Sequence, residues 1–480
     1  MHLQAINKDY RADIDGLRSV AVLSVLFYHI DSSILPGGYT GVDVFFIISG
    51  FLISSHIFYE INHKNNFSFK KFYLRRIKRI LPALLFMTIA VIVAGFFIFT
   101  NFYFQSLGEQ AFATTLSYSN IYFYFTSSYF DVDASLKPLL HTWSLGVEEQ
   151  FYLVWPAIIV AMSLFSKKAK KLVVGLFIIL IISFLFNGLF SQDLNAIFYL
   201  MPFRMFEFSV GAIIAVLLQN DSTERASDNN IFVNLISLFG LLLIIAPMFY
   251  LTDRSVFPYY NAIPTVIGSG ILLYYRRGIV NQALSLRPLV FIGLISYSLY
   301  LYHWPVIVFT KYQFSDLSNT NYYGIVISVS FILTILSYHL IEKPFRFSKN
   351  VYMPWLFSLL FLSTLTVSYA VKENSITSFY QSQELVPRNW KDVKYERYVE
   401  LNRDGCNLQF AKMDKNCDWE AETQILFFGN SHSIDSYNMF DMFLGDSPGY
   451  NLIYVPHTWD CRWTEKPKGI VESENAECLY

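Results

Sequence analysis

Charge is scarce in this 480-residue chain. Asp, Glu, Lys and Arg make up 15% of it, against about a quarter in an ordinary soluble domain. With 54% hydrophobic residues, the apolar side chains cannot all hide in one water-soluble core. The net charge is −1, and basic residues occur only in short clusters beside apolar runs, which argues against a nucleic-acid partner. Cysteine is nearly missing: Cys406, Cys417, Cys461 and Cys478 all fall in the last 75 residues, so only this end is expected to meet an oxidising compartment. No cleavable leader is expected, because the first apolar run starts after Asp13 and Asp15 and no A-x-A-like site follows it. Internal repeats and low-complexity tracts are also absent.

What is present is a series of apolar runs of about 20 residues, the length that crosses a hydrocarbon core. They lie near 14–31, 38–59, 80–100, 146–165, 172–190, 203–219, 231–250, 260–275, 288–310, 322–341 and 353–371. The aromatic stretch 101–130 is broken by Gln105, Glu109 and Gln110 and reads as re-entrant or interfacial, with a twelfth span as the alternative. Short loops rich in Lys and Arg stay cytoplasmic. With eleven spans and the N-terminus inside, 20 such residues fall on the cytoplasmic side and 3 in the short outer connections. The tail from about residue 373 is then outside, in agreement with its cysteines.

Charged groups inside a bilayer cost about 2.5–3.5 kcal/mol each on insertion scales, so they usually face a cavity and act there. On this topology His29, Asp43, His141, Glu148, Glu149, Arg204, Glu207 and His303 fall near the outer ends of their spans. Arg18, the Lys70–Arg79 cluster and His339 fall near the inner ends. Arg18 and His29 are eleven residues apart, which on a helix places them on nearly one face and about 16 Å apart, comparable with the reach of a pantetheine arm. Arg18 with Arg75, Arg76 and Arg79 is expected to hold the phosphates of a nucleotide-bearing donor at the cytoplasmic mouth, and His29 to meet its reactive end. The basic cluster also suits a plain positive-inside anchor. Glu148 and Glu149, in the segment His141–Tyr152, are favoured at a helix start by the helix dipole; a carboxylate near an imidazole also orients a histidine base. Arg204 and Glu207 read as a structural pair closing the same cavity. Tyr300 and His303 suit either acceptor contact or packing.

These residues sit in segments with a familiar pattern. Tyr10-Arg11, Ile14-Asp15-Gly16-Leu17-Arg18 and His29, then Gly41-Val42-Asp43-Val44-Phe45-Phe46 with Ser49-Gly50-Phe51, resemble the opening of the acyltransferase 3 family of membrane acyltransferases. Phe72–Pro82, His141–Tyr152, Ser296–Trp304 and Ile341-Glu342-Lys343-Pro344 are similar to later motifs of that family, so the resemblance spans about 15–345. It implies an acetyl-CoA-dependent O-acyltransferase modifying lipopolysaccharide O-antigen, peptidoglycan or an exported polysaccharide. It also implies essential roles for Arg18 and His29, an Arg-x-x-Arg motif at Arg76 and Arg79, and importance for Glu148 in the Ser-Leu-x-x-Glu pattern that begins at Ser144.

Beyond the spans, Ile425–Ser433 resembles the nucleophile block of an SGNH hydrolase-type domain, with Ser431 as nucleophile and Asn430 where Asp is common. A strand that delivers a serine to a helix start suits a nucleophile, since amide donors there can stabilise an oxyanion. No Asp-x-x-His follows Ser431, and only 49 residues remain, so this domain is expected to be incomplete. Cys406 with Cys417 and Cys461 with Cys478 are the nearest-neighbour pairs, but spacing cannot choose among three connectivities.

The expected fold is therefore an all-α polytopic membrane protein with about 10–11 transmembrane helices, followed by a partial α/β SGNH-like periplasmic domain. Residues 1–372 form the membrane domain, 373–405 a linker and 406–480 the SGNH-like part. The expected activity is acyl transfer in the bacterial inner membrane from cytoplasmic acetyl-CoA to an envelope glycan. His29, oriented by Glu148, serves as base or helps form a transient acyl intermediate. Membrane lipids are the other partners, and no metal is expected. A transporter or flippase of acyl groups or lipid-linked sugars is the alternative.

Overall fold

Long apolar runs interrupted by short polar loops fold into helices, because in lipid each backbone polar group must be satisfied within its own segment. The computed structural model describes residues 10–379 apart from 65–66, 127–135, 167, 221–229, 253, 315–316 and 349–351, together with five short strands between 406 and 472. The chain divides into two units, Met1–Ser382 and Gln383–Tyr480.

The described part of the first unit forms α1 (Ala12–Ile30), α2 (Gly41–Lys64), α3 (Phe69–Ile98), α4 (Asn101–Thr115), α5 (Ser119–Thr126), α6 (Trp143–Phe165), α7 (Ala169–Leu189), α8 (Leu194–Tyr199), α9 (Met201–Asn220), α10 (Ile231–Tyr250), α11 (Ile263–Tyr274), α12 (Ile279–Leu284), α13 (Arg287–Gln313), α14 (Asn319–Ser337), α15 (Lys343–Phe347) and α16 (Met353–Lys372). Helix starts follow capping chemistry: Asn230 accepts from Val233 N at 2.9 Å ahead of α10, and Asp193 accepts from Ala196 N at 2.9 Å ahead of α8.

Among the described residues, nine helical segments are long and apolar enough to cross a membrane, built on α2, α3, α6, α7, α9, α10, α13, α14 and α16. The other two expected spans are also helical, as α1 and α11. They differ because α1 carries Asp13, Asp15 and Arg18 within its 19 residues, and α11 has only 12 residues. The stretch read as re-entrant or interfacial forms α4 and α5, separated near Ser117, whose φ of 58° interrupts the helical path. Phe177, Ile178 and Leu185 on α7, Phe239 and Leu242 on α10, and Trp355, Leu359 and Leu362 on α16 are exposed. Large bare apolar surfaces of this kind suit lipid rather than water.

The most extensive pairings are α2 with α9 and α1 with α13. A Cβ on Gly293 of α13 would lie 1.7 Å from the Asp15 carbonyl oxygen, and one on Gly211 of α9 would lie 2.2 Å from the Ile47 carbonyl oxygen. Backbone contact at small residues is how membrane helices pack without a hydrophobic drive between them. Gly211→Val is therefore expected to lower the thermal midpoint of the detergent-solubilised protein, since overpacking costs about 1–3 kcal/mol or more; an unchanged midpoint would contradict this contact.

The described part of the second unit contains β1 (Cys406–Asn407), β2 (Thr423–Gly429), β3 (Tyr450–Pro456), β4 (Thr464–Glu465) and β5 (Val471–Glu472). The first three form a parallel sheet in the order β1-β3-β2, with Ile425 opposite Leu452 and Phe428 opposite Val455. β4 and β5 pair antiparallel. The expected strand before Ser431 is β2; Ser431 itself and the cysteine pairings lie outside the described residues.

Candidate active site

Of the cavities among the described first-unit helices, two bring together the ionisable residues expected to act. The first, about 80 Å³, is lined by Arg18 of α1, Ser49 of α2, Arg76 and Arg79 of α3, Glu148 and Tyr152 of α6 and Tyr300 of α13, among others. Arg18 donates to Asp15 Oδ1 at 3.2 Å. The Arg76 guanidinium lies 5.7 Å from the ring centres of both Phe72 and Tyr152, and its Nε is buried with no hydrogen-bond partner. Among the described residues neither Arg76 nor Arg79 has a carboxylate within ion-pair distance. Glu148, the carboxylate lining this cavity, accepts short hydrogen bonds from Ser49 Oγ and Tyr152 Oη. Three guanidinium groups, Arg18, Arg76 and Arg79, line this space against one carboxylate, Glu148, an excess of positive charge that favours an anion, and their planar forks suit phosphate oxygens.

The second cavity, about 470 Å³, is lined by His29 and Tyr28 of α1, Tyr39, His141, Trp143, Phe198, Phe257, Tyr300 and Trp304, among others. His29 Nδ1 lies 2.9 Å from His303 Nε2. His303 Nδ1 lies 2.8 Å from the Tyr300 carbonyl oxygen and 3.1 Å from that of Leu299. Carbonyl oxygens only accept, so this network assigns the proton of neutral His303 to Nδ1 and makes its Nε2 an acceptor. His29 then donates from Nδ1, and its own Nε2 keeps a free lone pair. The Trp304 ring, 4.6 Å from the His29 ring, packs against the pair.

Helix chemistry also places His141. Pro305 has no N–H, which leaves the Leu301 carbonyl of α13 without its usual helical donor. His141 Nε2 donates to that carbonyl at 3.1 Å, and its buried Nδ1 has no partner. Tyr300 Oη donates to the His141 carbonyl at 2.9 Å and accepts from Ser144 Oγ at 2.6 Å.

Behind the second cavity, Arg204 donates to Asp43 Oδ1 at 2.9 Å and to Glu207 Oε1 at 3.0 Å. With side-chain exposures of 1%, 0% and 0%, this cluster has no access to substrate. It is a support: the Arg204 guanidinium lies 5.1–5.4 Å from the rings of Trp143, Phe198 and Phe257, which line the cavity. Removing one partner of such a buried pair costs about 3–5 kcal/mol.

A family model described as an acyltransferase domain matches residues 11–373, which include every residue of both cavities. The chain belongs to the acyltransferase 3 family. It is 30% identical over 366 residues to YrhL of Bacillus subtilis, provisionally named a peptidoglycan O-acetyltransferase, covering 72% of this chain and 57% of that protein. It is 29% identical to the peptidoglycan O-acetyltransferase OatA of Listeria monocytogenes, covering 71% of this chain and 56% of the relative. It is also 29% identical to the O-acetyltransferase OatA of Staphylococcus aureus, covering 70% and 57%. The chain thus spans just over half the length of these relatives. No solved structure matches it.

In this family member the structure rearranges several sequence expectations. Glu148 does not orient His29; it lines the arginine cavity, held by Ser49 and Tyr152, while His303 engages His29. Depth along α6 could not reveal this, because Glu148 lies more than a turn inside the helix and faces α2. Arg75 does not join Arg76 and Arg79. It turns to His56 Nε2 and lies 3.7 Å from Glu60, since adjacent helix positions point about 100° apart. Glu149 lines neither cavity for the same reason. Asp43, read only as a support residue, proves to be the third member of the Arg204–Glu207 pair. The sequence reading also missed Ser49, Tyr152 and Trp304 as individual contributors. All three lie in the segments that carry the family resemblance, and Tyr152 had a further signal, four residues after Glu148 on one helical face.

Proposed function

We propose that this protein is an O-acetyltransferase that moves an acetyl group from acetyl-CoA to a hydroxyl of a cell-envelope glycan. The observation that supports this most is the division of chemistry along α1. Near its start Arg18 joins two unpaired arginines in one cavity; at its end His29 presents a free Nε2 lone pair in the other. In the plasma membrane, with the N-terminus inside, the arginine cavity holds the donor's phosphates from the cytoplasm and the histidine cavity receives the glycan from outside. The second unit then lies outside.

His29 Nε2 takes the proton from the acceptor hydroxyl as its oxygen attacks the thioester carbonyl. The oxygen–carbon bond forms, the carbon–sulfur bond breaks, and the proton passes to the departing sulfur, giving CoA thiol. His303 holds His29 in the tautomer that leaves Nε2 free. The names of the relatives favour peptidoglycan over lipopolysaccharide O-antigen as acceptor. Membership of an acyltransferase family favours catalysis over transport.

The test uses purified full-length protein with acetyl-CoA and either peptidoglycan fragments or O-antigen. CoA release with a mass gain of one acetyl group on the glycan is expected, with the peptidoglycan fragments as the better acceptor. Movement of acyl groups or sugars across a vesicle without CoA release would replace this reading with transport.

A further inference from the structure

We propose that Val42 and Tyr300 form the passage by which the acyl group reaches His29, and that the width of this passage selects short acyl chains. The inference rests on the donor reading above and adds no bond change to it. The arginine cavity and the histidine cavity share two lining side chains, Val42 of α2 and Tyr300 of α13. A thioester whose nucleotide end is held by Arg18, Arg76 and Arg79 meets the histidine cavity at this pair.

Both sides of the passage are fixed. Tyr300 is buried, and its hydroxyl is tied to the His141 carbonyl and to Ser144 at 2.9 and 2.6 Å. Its ring stands edge-on to Phe45 with centroids 6.3 Å apart, so it cannot swing aside without breaking both hydrogen bonds. Val42 is also buried, and a β-branched side chain in a helix has one strongly preferred χ1 rotamer. The next residue, Asp43, is clamped to Arg204 at 2.9 Å, which restrains this turn of α2. The neighbouring wall of the arginine cavity includes Phe45, Leu145 and Ile48, so the acyl chain meets apolar surface at this point. In a fitted apolar site one extra methylene changes discrimination by about 10–200-fold, so a gap held rigid on both sides favours the shorter acyl chain.

The experiment measures CoA release by the purified full-length protein from acetyl-, propionyl- and butyryl-CoA with peptidoglycan fragments. The unaltered protein is expected to prefer acetyl-CoA, while Val42→Ala raises the butyryl-to-acetyl rate ratio at least tenfold. Tyr300→Phe, which frees the ring, is expected to raise it in the same direction. Equal use of the three donors by the unaltered protein, or a ratio in both variants unchanged from that of the unaltered protein, overturns the passage. No CoA release from any donor by the unaltered protein instead overturns the donor reading itself. If Val42→Ala does not fold, Val42→Ile narrows the same gap and is expected to cut acetyl transfer at least tenfold while competition by free CoA is unchanged; an unaltered transfer rate overturns the proposal.

Discussion

His29→Ala is expected to lower glycan acetylation and acceptor-dependent CoA release by two to four orders of magnitude, about the contribution of a positioned general base. The hydrogen-bond network makes the companion result more informative. His303 supplies an acceptor to His29 Nδ1 at 2.9 Å and a donor to the Tyr300 carbonyl at 2.8 Å. His303→Gln can keep both contacts through its amide oxygen and nitrogen, whereas His303→Leu keeps neither. Leaving a buried polar group unpaired costs about 1–3 kcal/mol, so His303→Leu is expected to lose roughly 5–150-fold in kcat while His303→Gln retains most of the rate. The checks are initial rates and pH profiles of CoA release, with each variant shown to be monodisperse by size exclusion. A fully active His29→Ala protein would remove His29 from the chemistry. Equal loss in the two His303 variants would remove the tautomer argument and leave only packing.

The second large effect is on donor binding. Arg76→Ala and Arg79→Ala are each expected to raise the KM for acetyl-CoA by about 10–150-fold, the range of hydrogen bonds to charged groups, with a smaller change in kcat. Arg76→Lys should recover only part of this, because an ammonium keeps the charge but loses the planar fork. Arg75→Ala is the control: its side chain is engaged by His56 and lies near Glu60, and KM should stay within about threefold, as for a surface ion pair of small worth. A plain positive-inside anchor would instead make all three substitutions equivalent for KM. Measuring KM for acetyl-CoA at fixed glycan concentration in the four variants distinguishes the two cases.

The eleven apolar runs each appear as a helix, because run length and the cost of unpaired backbone in lipid are properties of a segment by itself. Arg18 and His29 likewise came out on one helix serving two cavities, since a fixed rise and turn per residue decide which positions share a face and how far apart they are. The ordered motifs were enough to place the chain in its family, later matched over residues 11–373. The partners of those residues were not legible in the same way. His29 pairs with His303, 274 positions away, Glu148 with Ser49, 99 away, and Arg204 with Asp43, 161 away. Such pairings depend on how each helix is rotated about its axis and on where two backbones touch, as at Gly293 against Asp15 and Gly211 against Ile47. The sequence by itself determined which segments become helices and which chemistry each one carries. Tertiary structure alone decided that Arg75 faces away, that Glu148 joins the arginines and that Val42 and Tyr300 stand between the cavities, because these follow from contacts among helices and not from the period of any one of them.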